Sequence, residues 1–298
     1  MTVTPTSDGH STMYAIGDWA AVNNGQPYVD ADGCWWSATH EEGWSTSPDP
    51  RVTEAKLPGA DGQLSGDLQI EPRPIILGGT VRAPTQLLLQ VKIDEVAALL
   101  SGPVREDTLL VAEPHLTRHA TVRRDQRTPA AKVSPFVATW MFQLIADDPR
   151  RYRPAQVVST GLPSSGGGLV FPLFQTTGLL EFGAPGASGQ VTLLNPGSAD
   201  AFPSFTITGP VLGGVVITDI ASGRQIVYAG DVPDAAVLLI IDTAFGRATL
   251  NGADRTAELT VKQWFPVPAG GSSTVQFATL GAAGQLGQLS ASLEPADA

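Results

Sequence analysis

Short apolar runs separated by turn residues dominate the second half of the chain. Glycine, proline, asparagine or aspartate occupies nearly every gap between these runs, which is typical of short strands joined by tight turns. Asn251-Gly252 directly follows one run and predicts a type I′ hairpin. Eight such strands in about 90 residues predict a β-sandwich or jelly roll. The runs lie at residues 191–193, 205–207, 215–217, 226–228, 237–241, 248–250, 259–261 and 274–277.

The first half combines strand-like runs with one helical pattern. Leu89, Ile93, Val96 and Leu100 recur at helical spacing between Pro84 and Ser101, and Pro84 suits a first turn. Gly102-Pro103 then ends the predicted helix. Asn24-Gly25 and Asp32-Gly33 are turn signals within an aromatic-rich region that holds four of the six tryptophans. The predicted strands lie at 68–70, 75–77, 108–111, 120–124 and 136–145.

The length of 298 residues predicts two domains, since one domain usually has roughly 100–200 residues. Residues 159–168 (STGLPSSGGG) have the composition of a linker. We therefore predict a mainly β chain, in which residues 1–158 form a β-sandwich or barrel with one flanking helix. Residues 159–298 are predicted to form a second β-sandwich.

Charge is unevenly distributed around a net value of −11. Residues 1–50 hold seven acidic residues and no lysine or arginine, whereas 118–132 hold four arginines and a lysine against Asp125 alone. A globally acidic protein repels nucleic acid, which disfavours DNA recognition. The basic stretch is interpreted in two ways, as a solvated strand face or as a contact with an acidic patch on a neighbouring subunit.

Cysteine content and hydropathy suggest synthesis in a cytoplasm. The single cysteine, Cys34, excludes an intramolecular disulfide and is interpreted as a small apolar core residue. The N-terminus lacks a basic leader followed by an apolar stretch, and no apolar run approaches the roughly 18 residues of a membrane span.

Candidate chemistry in the sequence does not assemble into a catalytic constellation. His115 and His119 lie in a strand-like segment, where their spacing separates the rings. The segment 30–33 (DADG) begins like a calcium loop, but Cys34 stands where an oxygen ligand is needed, so a tight turn is predicted. The acidic pairs 41–42 and 147–148 point to opposite faces of a strand. We expect no catalytic, cofactor or metal site and no enzymatic activity.

Three ordered sets of residues carry a resemblance to a known family. In the first, the Trp35–Trp36 region leads through GWSTSP at 43–48 to LPGADG at 57–62 and a strand at 75–79. The second is ADDPRRY at 146–152. The third is a C-terminal series: Asn195-Pro196-Gly197, Pro203, Gly209-Pro210, Ser222-Gly223, Ile241-Asp242-Thr243, Leu250-Asn251-Gly252, Trp264 and Pro268-Ala269-Gly270. In this order, over about 19–277, they resemble the distal tail proteins of siphoviruses, especially minor tail proteins of phages that infect actinobacteria. Ser222-Gly223 and Pro268-Ala269-Gly270 depart mildly from the family's Thr-Gly and Pro-Gly.

The resemblance implies a structural virion protein at the distal end of a phage tail, assembled in the host cytoplasm. It implies a tail-tube-like N-terminal domain that forms a hexameric ring around a channel, and a galectin-like C-terminal sandwich outside it. The implied partners are further copies of the chain, the tail tube protein, tip and receptor-binding proteins, and the tape measure protein, with DNA only in transit and no membrane contact. Acidic residues of the N-terminal domain are expected to supply more of the channel wall than its arginines.

Subunit and domain contacts are the site residues that the resemblance implies. Arg118, Arg123, Arg124 and Arg127 are candidates for contacts with a neighbouring subunit, and Asp148, Arg150 and Tyr152 for the corner where the domains join. The alternative for the Asp-Pro-Arg segment is a strand-ending turn in which the aspartate accepts local backbone N–H bonds.

Three rival functions remain open at this point. A tail-tube protein shares the N-terminal domain type but lacks a full C-terminal sandwich. A carbohydrate-binding module of the tail tip would use Trp264 and Tyr228, although the alternating run around Trp264 predicts that it is buried. A cell-wall hydrolase would need a convergent acid pair or metal ligands.

Overall fold

The chain divides into two compact units in a computed structural model that describes residues 10–56, 61, 63–102, 105–164, 186–282 and 284–298. Side chains are not described at 53–56, 63–65, 67 and 68. The first unit comprises Met1–Pro154 with Asp297–Ala298, and the second comprises Ala155–Ala296. Parts of the predicted linker at 159–168 and of the LPGADG segment, together with Pro103, lie outside the described residues. The assignment of 1–158 and 159–298 as family-type domains stays a prediction.

The first unit is a curved β-sheet with one helix. Its helix is α1 (Gln86–Ala98). Its strands are β1 (Thr12–Ile16), β2 (Trp19–Asn23), β3 (Tyr28–Val29), β4 (Trp35–Glu42), β5 (Pro50–Lys56), β6 (Gln63–Ile70), β7 (Arg73–Arg82), β8 (Glu106–Ala112), β9 (Thr117–Arg124), β10 (Ala130–Ser134), β11 (Val137–Ala146) and β12 (Arg151–Tyr152), joined near the chain end by β24 (Ala296–Asp297).

Strand pairing closes this sheet on itself. The order is β10-β11-β7-β4-β2-β1-β8-β9-β12-β24, with β3 paired to β4. A further pairing of β9 with β11, at Arg123↔Ile145 and Arg124↔Leu144, joins the two sides into a barrel. Apart from the parallel β2–β4 contact, the described pairs are antiparallel. Strands β5 and β6 form a separate hairpin that pairs with no other described strand.

Helix α1 contributes its apolar face to the barrel core. The Thr85 hydroxyl accepts a hydrogen bond from the backbone N–H of Leu88 and caps the first turn. Leu89 and Val96 are buried in the core cluster, and the helix contacts β7, β10 and β11. The predicted helix is confirmed, but it begins after Pro84. Leu100 is buried beyond the helix end, where a positive φ of 56° breaks the helical path.

A tryptophan packs closely against a glycine in the centre of the sheet. Gly79 in β7 lies opposite Trp140 in β11 and opposite Ala38 in β4. The β4–β7 register shifts by one residue between Ala38 and His40, which marks a β-bulge. A Cβ atom added to Gly79 would lie 1.9 Å from the Ser37 carbonyl oxygen and 2.7 Å from the Trp140 ring. Glycine is therefore required here for the strands to approach.

The second unit contains two antiparallel sheets. One has the order β13-β23-β15-β18-β19-β20 and the other β14-β22-β16-β17-β21. The strands are β13 (Gln156–Gly161), β14 (Gln190–Leu194), β15 (Ser204–Thr208), β16 (Val215–Asp219), β17 (Gln225–Tyr228), β18 (Leu238–Asp242), β19 (Arg247–Leu250), β20 (Ala253–Asp254), β21 (Leu259–Lys262), β22 (Ser272–Thr279) and β23 (Gln288–Leu293), with a short 3₁₀ helix at Thr256–Glu258.

Alternating burial shows that each of these sheets has one buried face. In β15, Phe205 and Ile207 are fully buried while their neighbours are partly exposed, and β16, β22 and β23 repeat this alternation. Asn251 and Gly252 both have positive φ and form the two-residue loop between β19 and β20, as predicted. The predicted class, mainly β with a barrel and one helix followed by a β-sandwich, is confirmed for the described residues.

Replacing Gly79 with alanine tests the close approach of β4, β7 and β11. We expect Gly79→Ala to lower the free energy of unfolding by about 2 kcal/mol or more, because the new methyl overlaps backbone that cannot move cheaply. Gly102→Ala is the matched control, since a Cβ there meets no atom within 4 Å. Urea unfolding followed by circular dichroism measures both changes. Equal stabilities of the two variants would contradict the proposed constraint.

Candidate functional site

A buried arginine connects two of the motif segments within the first unit. Arg73 begins β7 and is completely buried. Its guanidinium donates to the carbonyl oxygens of Pro149 at 2.8 Å, Gly43 at 2.9 Å and Trp44 at 3.3 Å, and also to that of Thr46. The GWSTSP turn and the DPRRY segment are therefore held by one side chain.

The turn that Arg73 binds is shaped by Glu41 and Gly43. One carboxylate oxygen of Glu41 accepts from the backbone N–H of Trp44 at 2.8 Å and of Ser45 at 3.1 Å. Gly43 has φ 90°, and a Cβ there would lie 1.9 Å from the Pro74 carbonyl oxygen. The Glu41 carboxylate thus stabilises the turn that follows β4.

Arg151 in β12 adds a second cation to this region. It donates to the Trp44 carbonyl oxygen at 2.8 Å and to the Ala298 carbonyl oxygen at 2.5 Å. Its guanidinium carbon also lies 5.9 Å from the centre of the Trp44 ring, within cation–π range. The buried Trp44 is thus held by Arg151 through both its ring and its backbone.

Burial and mutual repulsion lower the pKa values of these two arginines. Burial, then the charges of Arg151 and Arg118, lowers the pKa of Arg73 to about 10. Burial and Arg118 also lower the pKa of Arg151. Arg73 remains charged at neutral pH, because a pKa near 10 is well above 7. Asp297 offsets part of the local charge, with Arg153 at 2.8 Å and Arg118 at 3.7 Å.

Three of the four arginines predicted at a subunit contact have partners within their own unit. Arg118 donates to Glu113 at 2.9 Å, and Arg123 pairs with Asp147 at 3.0 Å. Arg124 donates to the carbonyl oxygens of Ala97 and Gln126. Arg127 is exposed and has no ion-pair partner among the described residues. A contact with a neighbouring subunit stays a prediction for all four.

The predicted corner residues form a local turn. The Asp148 carboxylate accepts from the Arg150 backbone N–H at 3.1 Å and from the Tyr152 hydroxyl at 2.5 Å. Burial, then the Asp148 carboxylate, raises the pKa of Tyr152. The alternative interpretation, a turn stabilised by aspartate, describes this geometry, and a role in joining the domains stays a prediction.

An exposed aromatic patch on the first unit was not singled out from the sequence. Trp35 is 49% exposed, and the Arg82 guanidinium carbon lies 5.6 Å from the centre of its ring. Together with Phe136, which is 45% exposed, they border a recess of about 410 Å³. Exposed tryptophan and arginine are typical of residues that dominate protein interfaces. We call Trp35, Arg82 and Phe136 the aromatic patch.

Neither metal ligands nor a membrane-spanning helix is found in the described parts of the chain. Among those residues, no three histidine, cysteine, aspartate or glutamate side chains are grouped to hold a metal ion. Helix α1, the single α-helix described, is too short to cross a bilayer.

Comparison with solved structures gives likenesses over most of the chain at low sequence identity. The Dit protein (gp 19.1) of phage SPP1, called a paradigm of the hub adsorption apparatus in phages infecting Gram-positive bacteria, matches with a TM-score of 0.61 and 11% identity over 87% of this chain and 92% of its own. Baseplate chains of phage P2 in the activated conformation give TM-scores of 0.46 with Ca and 0.49 with Sr, at 11% and 12% identity. These cover 95% and 94% of this chain and 97% of each phage P2 chain. No family model and no curated protein matches. At this identity, the SPP1 likeness establishes the fold.

Removing the Arg73 guanidinium tests whether it holds the two motif segments. We expect Arg73→Met to lower the free energy of unfolding by about 3 kcal/mol or more, because several buried carbonyl groups lose their donor. Arg51→Met is the control, since Arg51 is exposed on the β5–β6 hairpin. Chemical unfolding measures both. A loss in Arg73→Met no larger than in the control would show that the guanidinium is dispensable.

Proposed function

We propose that this chain is a non-enzymatic structural protein of a phage tail, of the distal-tail or hub kind. The single observation that supports this most is the SPP1 Dit likeness, because it extends over 87% of this chain and 92% of the other. The chain contains a second, β-sandwich unit in addition to the barrel. A tail-tube protein would need only the barrel, so the second unit argues against that alternative.

The first unit would form the ring, proposed as a hexamer around a channel for DNA. Two features of its surface support a role in subunit contacts. The aromatic patch exposes tryptophan, arginine and phenylalanine side chains. The β5–β6 hairpin has no further strand partner among the described residues, and an isolated two-stranded hairpin is only marginally stable in water. Both features are suited to being covered by another subunit.

The ring would connect the tail tube, and with it the tape measure protein, to the tip and receptor-binding proteins at the distal end of the virion. Assembly would take place in the host cytoplasm. The channel wall would be supplied mainly by acidic residues, in line with seven acidic residues and no lysine or arginine in 1–50. Such a wall would not retain passing phosphates.

A carbohydrate-binding role of the second unit is the alternative. Trp264 is only partly buried, contrary to the sequence prediction, and borders a shallow recess of about 530 Å³ with Arg224 and Lys262. Tyr228 is buried and is not available for stacking on a sugar. Saturable binding to a glycan array, abolished by Trp264→Ala, would favour this alternative.

The ring itself is tested by the mass and shape of the purified protein. We expect a species with six times the mass of one chain, and a central hole in negative-stain images. A stable monomer under all conditions, including the presence of the tail tube protein, would contradict the proposal.

The aromatic patch gives a sharper test of the ring contact. We expect Trp35→Ser to shift the assembly towards monomers by at least about tenfold in dissociation constant, because truncating a central interface tryptophan typically costs about 2 kcal/mol or more. Leu87→Ser is the matched control, since Leu87 is 78% exposed on α1 outside the patch. Mass photometry over a dilution series measures both. Unchanged assembly of Trp35→Ser would remove the patch from the interface.

A further inference from the structure

A cavity of about 600 Å³ lies beside α1 in the first unit and shares no lining residue with the recess at the aromatic patch. Its apolar walls include Trp19, Tyr28 and Trp36, together with Val96 of the helix. Asp32 and Glu95 are at its polar side. A concave site of this size, mostly apolar with a few convergent polar groups, is typical of ligand-binding pockets. We call it the α1 pocket.

Lys92 occupies the centre of the polar side. Its side chain is 7% exposed, and Nζ lies 2.7 Å from Asp32, 3.0 Å from Glu95 and 3.3 Å from Asp30. Burial alone lowers the pKa of Lys92, but hydrogen bonds to Asp32 and Glu95 outweigh it and raise the pKa. The three donors of the ammonium group are therefore all engaged by carboxylates.

The pocket keeps an excess of negative charge after this pairing. Asp30, Asp32 and Glu95 surround a single cation, and Asp18 also lines the cavity. Asp30 is further engaged by the indole N–H of Trp36 at 3.0 Å. Asp32 and Glu95 each use one oxygen on Lys92, and their side chains are 54% exposed. Their second oxygens accept no hydrogen bond from the described residues and are accessible to a ligand.

The α1 pocket places carboxylate oxygens beside aromatic rings, and this combination favours a flat organic cation over a metal ion. Lys92 already holds the position between the carboxylates that a metal ion would take. A guanidinium group is flat, stacks on aromatic rings and donates to two carboxylates at once. We propose that the α1 pocket binds an arginine side chain presented by a basic segment of a partner protein.

Charge on this chain favours a separate protein as the source of that arginine. The chain carries a net charge of −11, so a basic partner is attracted at long range. Described arginines of the first unit that already have hydrogen-bond or ion-pair partners within it include Arg51, Arg73, Arg118, Arg123, Arg124, Arg151 and Arg153. The inference does not depend on ring formation, since the pocket lies within one chain.

A peptide titration of the full-length protein tests this inference. The probe is acetyl-Gly-Arg-Gly-amide, and its neutral counterpart carries citrulline in place of arginine. Fluorine NMR of 5-fluorotryptophan-labelled protein reports on Trp19 and Trp36, assigned by single tryptophan-to-phenylalanine variants. We expect the arginine peptide to shift these two signals saturably, with a dissociation constant of about 1 mM, and the citrulline peptide to bind at least about tenfold more weakly.

Two variants on the same helix separate a pocket effect from general electrostatics. Glu95→Gln removes a pocket carboxylate and is expected to weaken the arginine peptide by about tenfold. Asp94→Asn changes the net charge equally but lies outside the pocket and is expected to leave binding unchanged. Circular dichroism checks that both variants fold.

Several outcomes would overturn the inference. Equal binding of the two peptides, an equal effect of the two variants, or no saturable shift of Trp19 and Trp36 would each exclude an arginine site. Spermidine binding as tightly as the peptide would assign the pocket to small amines. Loss of self-association in Glu95→Gln would assign it to a second copy of this chain. If the protein forms no ring but binds the arginine peptide as expected, the proposed tail function is contradicted and the arginine site is not.

Discussion

The burial of Arg73 is the constraint on which the first unit depends. A buried guanidinium needs partners for its donors, and here backbone carbonyls accept from Nε and Nη1, whereas Nη2 has no partner among the described residues. Those carbonyls come from the turn after β4 and from the segment before β12, which are far apart in sequence. The chain must therefore bring both segments to the start of β7 before this charge can be buried. Arg151 then stacks on Trp44, which the same turn presents.

Much of the fold follows from the sequence because burial alternates along the strands. Val191 and Leu193 face the core while Thr192 faces outwards, and such alternation identifies a strand without any knowledge of its partners. Helix α1 is predicted from a different period, the helical spacing of apolar residues such as Leu89 and Val96. The pairing of β9 with β11 that closes the barrel is not predicted from the sequence. It joins Arg123 to Ile145 and Arg124 to Leu144, and these residue types do not identify each other as neighbours.

The sites were less predictable than the fold, for three physical reasons. Arg73 donates to backbone carbonyl oxygens, which every residue has, so no residue type in the sequence identifies its partners. Trp35 and Trp36 are adjacent, so one must face outwards, but their register with β7 decides which one does so. Lys92 looks like part of a solvated helix face, and only the β3–β4 turn brings Asp30 and Asp32 to it. The sequence left the partners of the basic stretch at 118–127 open, and three of its arginines pair with acidic residues or carbonyl groups within the unit.

The closure of the main sheet of the first unit into a barrel limits how copies of the chain can associate. A long open edge strand offers unpaired backbone groups to any other chain and favours aggregation into fibres. In this sheet the terminal strands of the order, β10 and β24, have only five and two residues. These edges are short, so association through that sheet would use mainly side-chain surfaces with a defined shape and angle. A repeated contact at a fixed angle either closes after a definite number of copies or winds into a helix. The geometry of that contact, and not the supply of protein, would then set the size of the assembly.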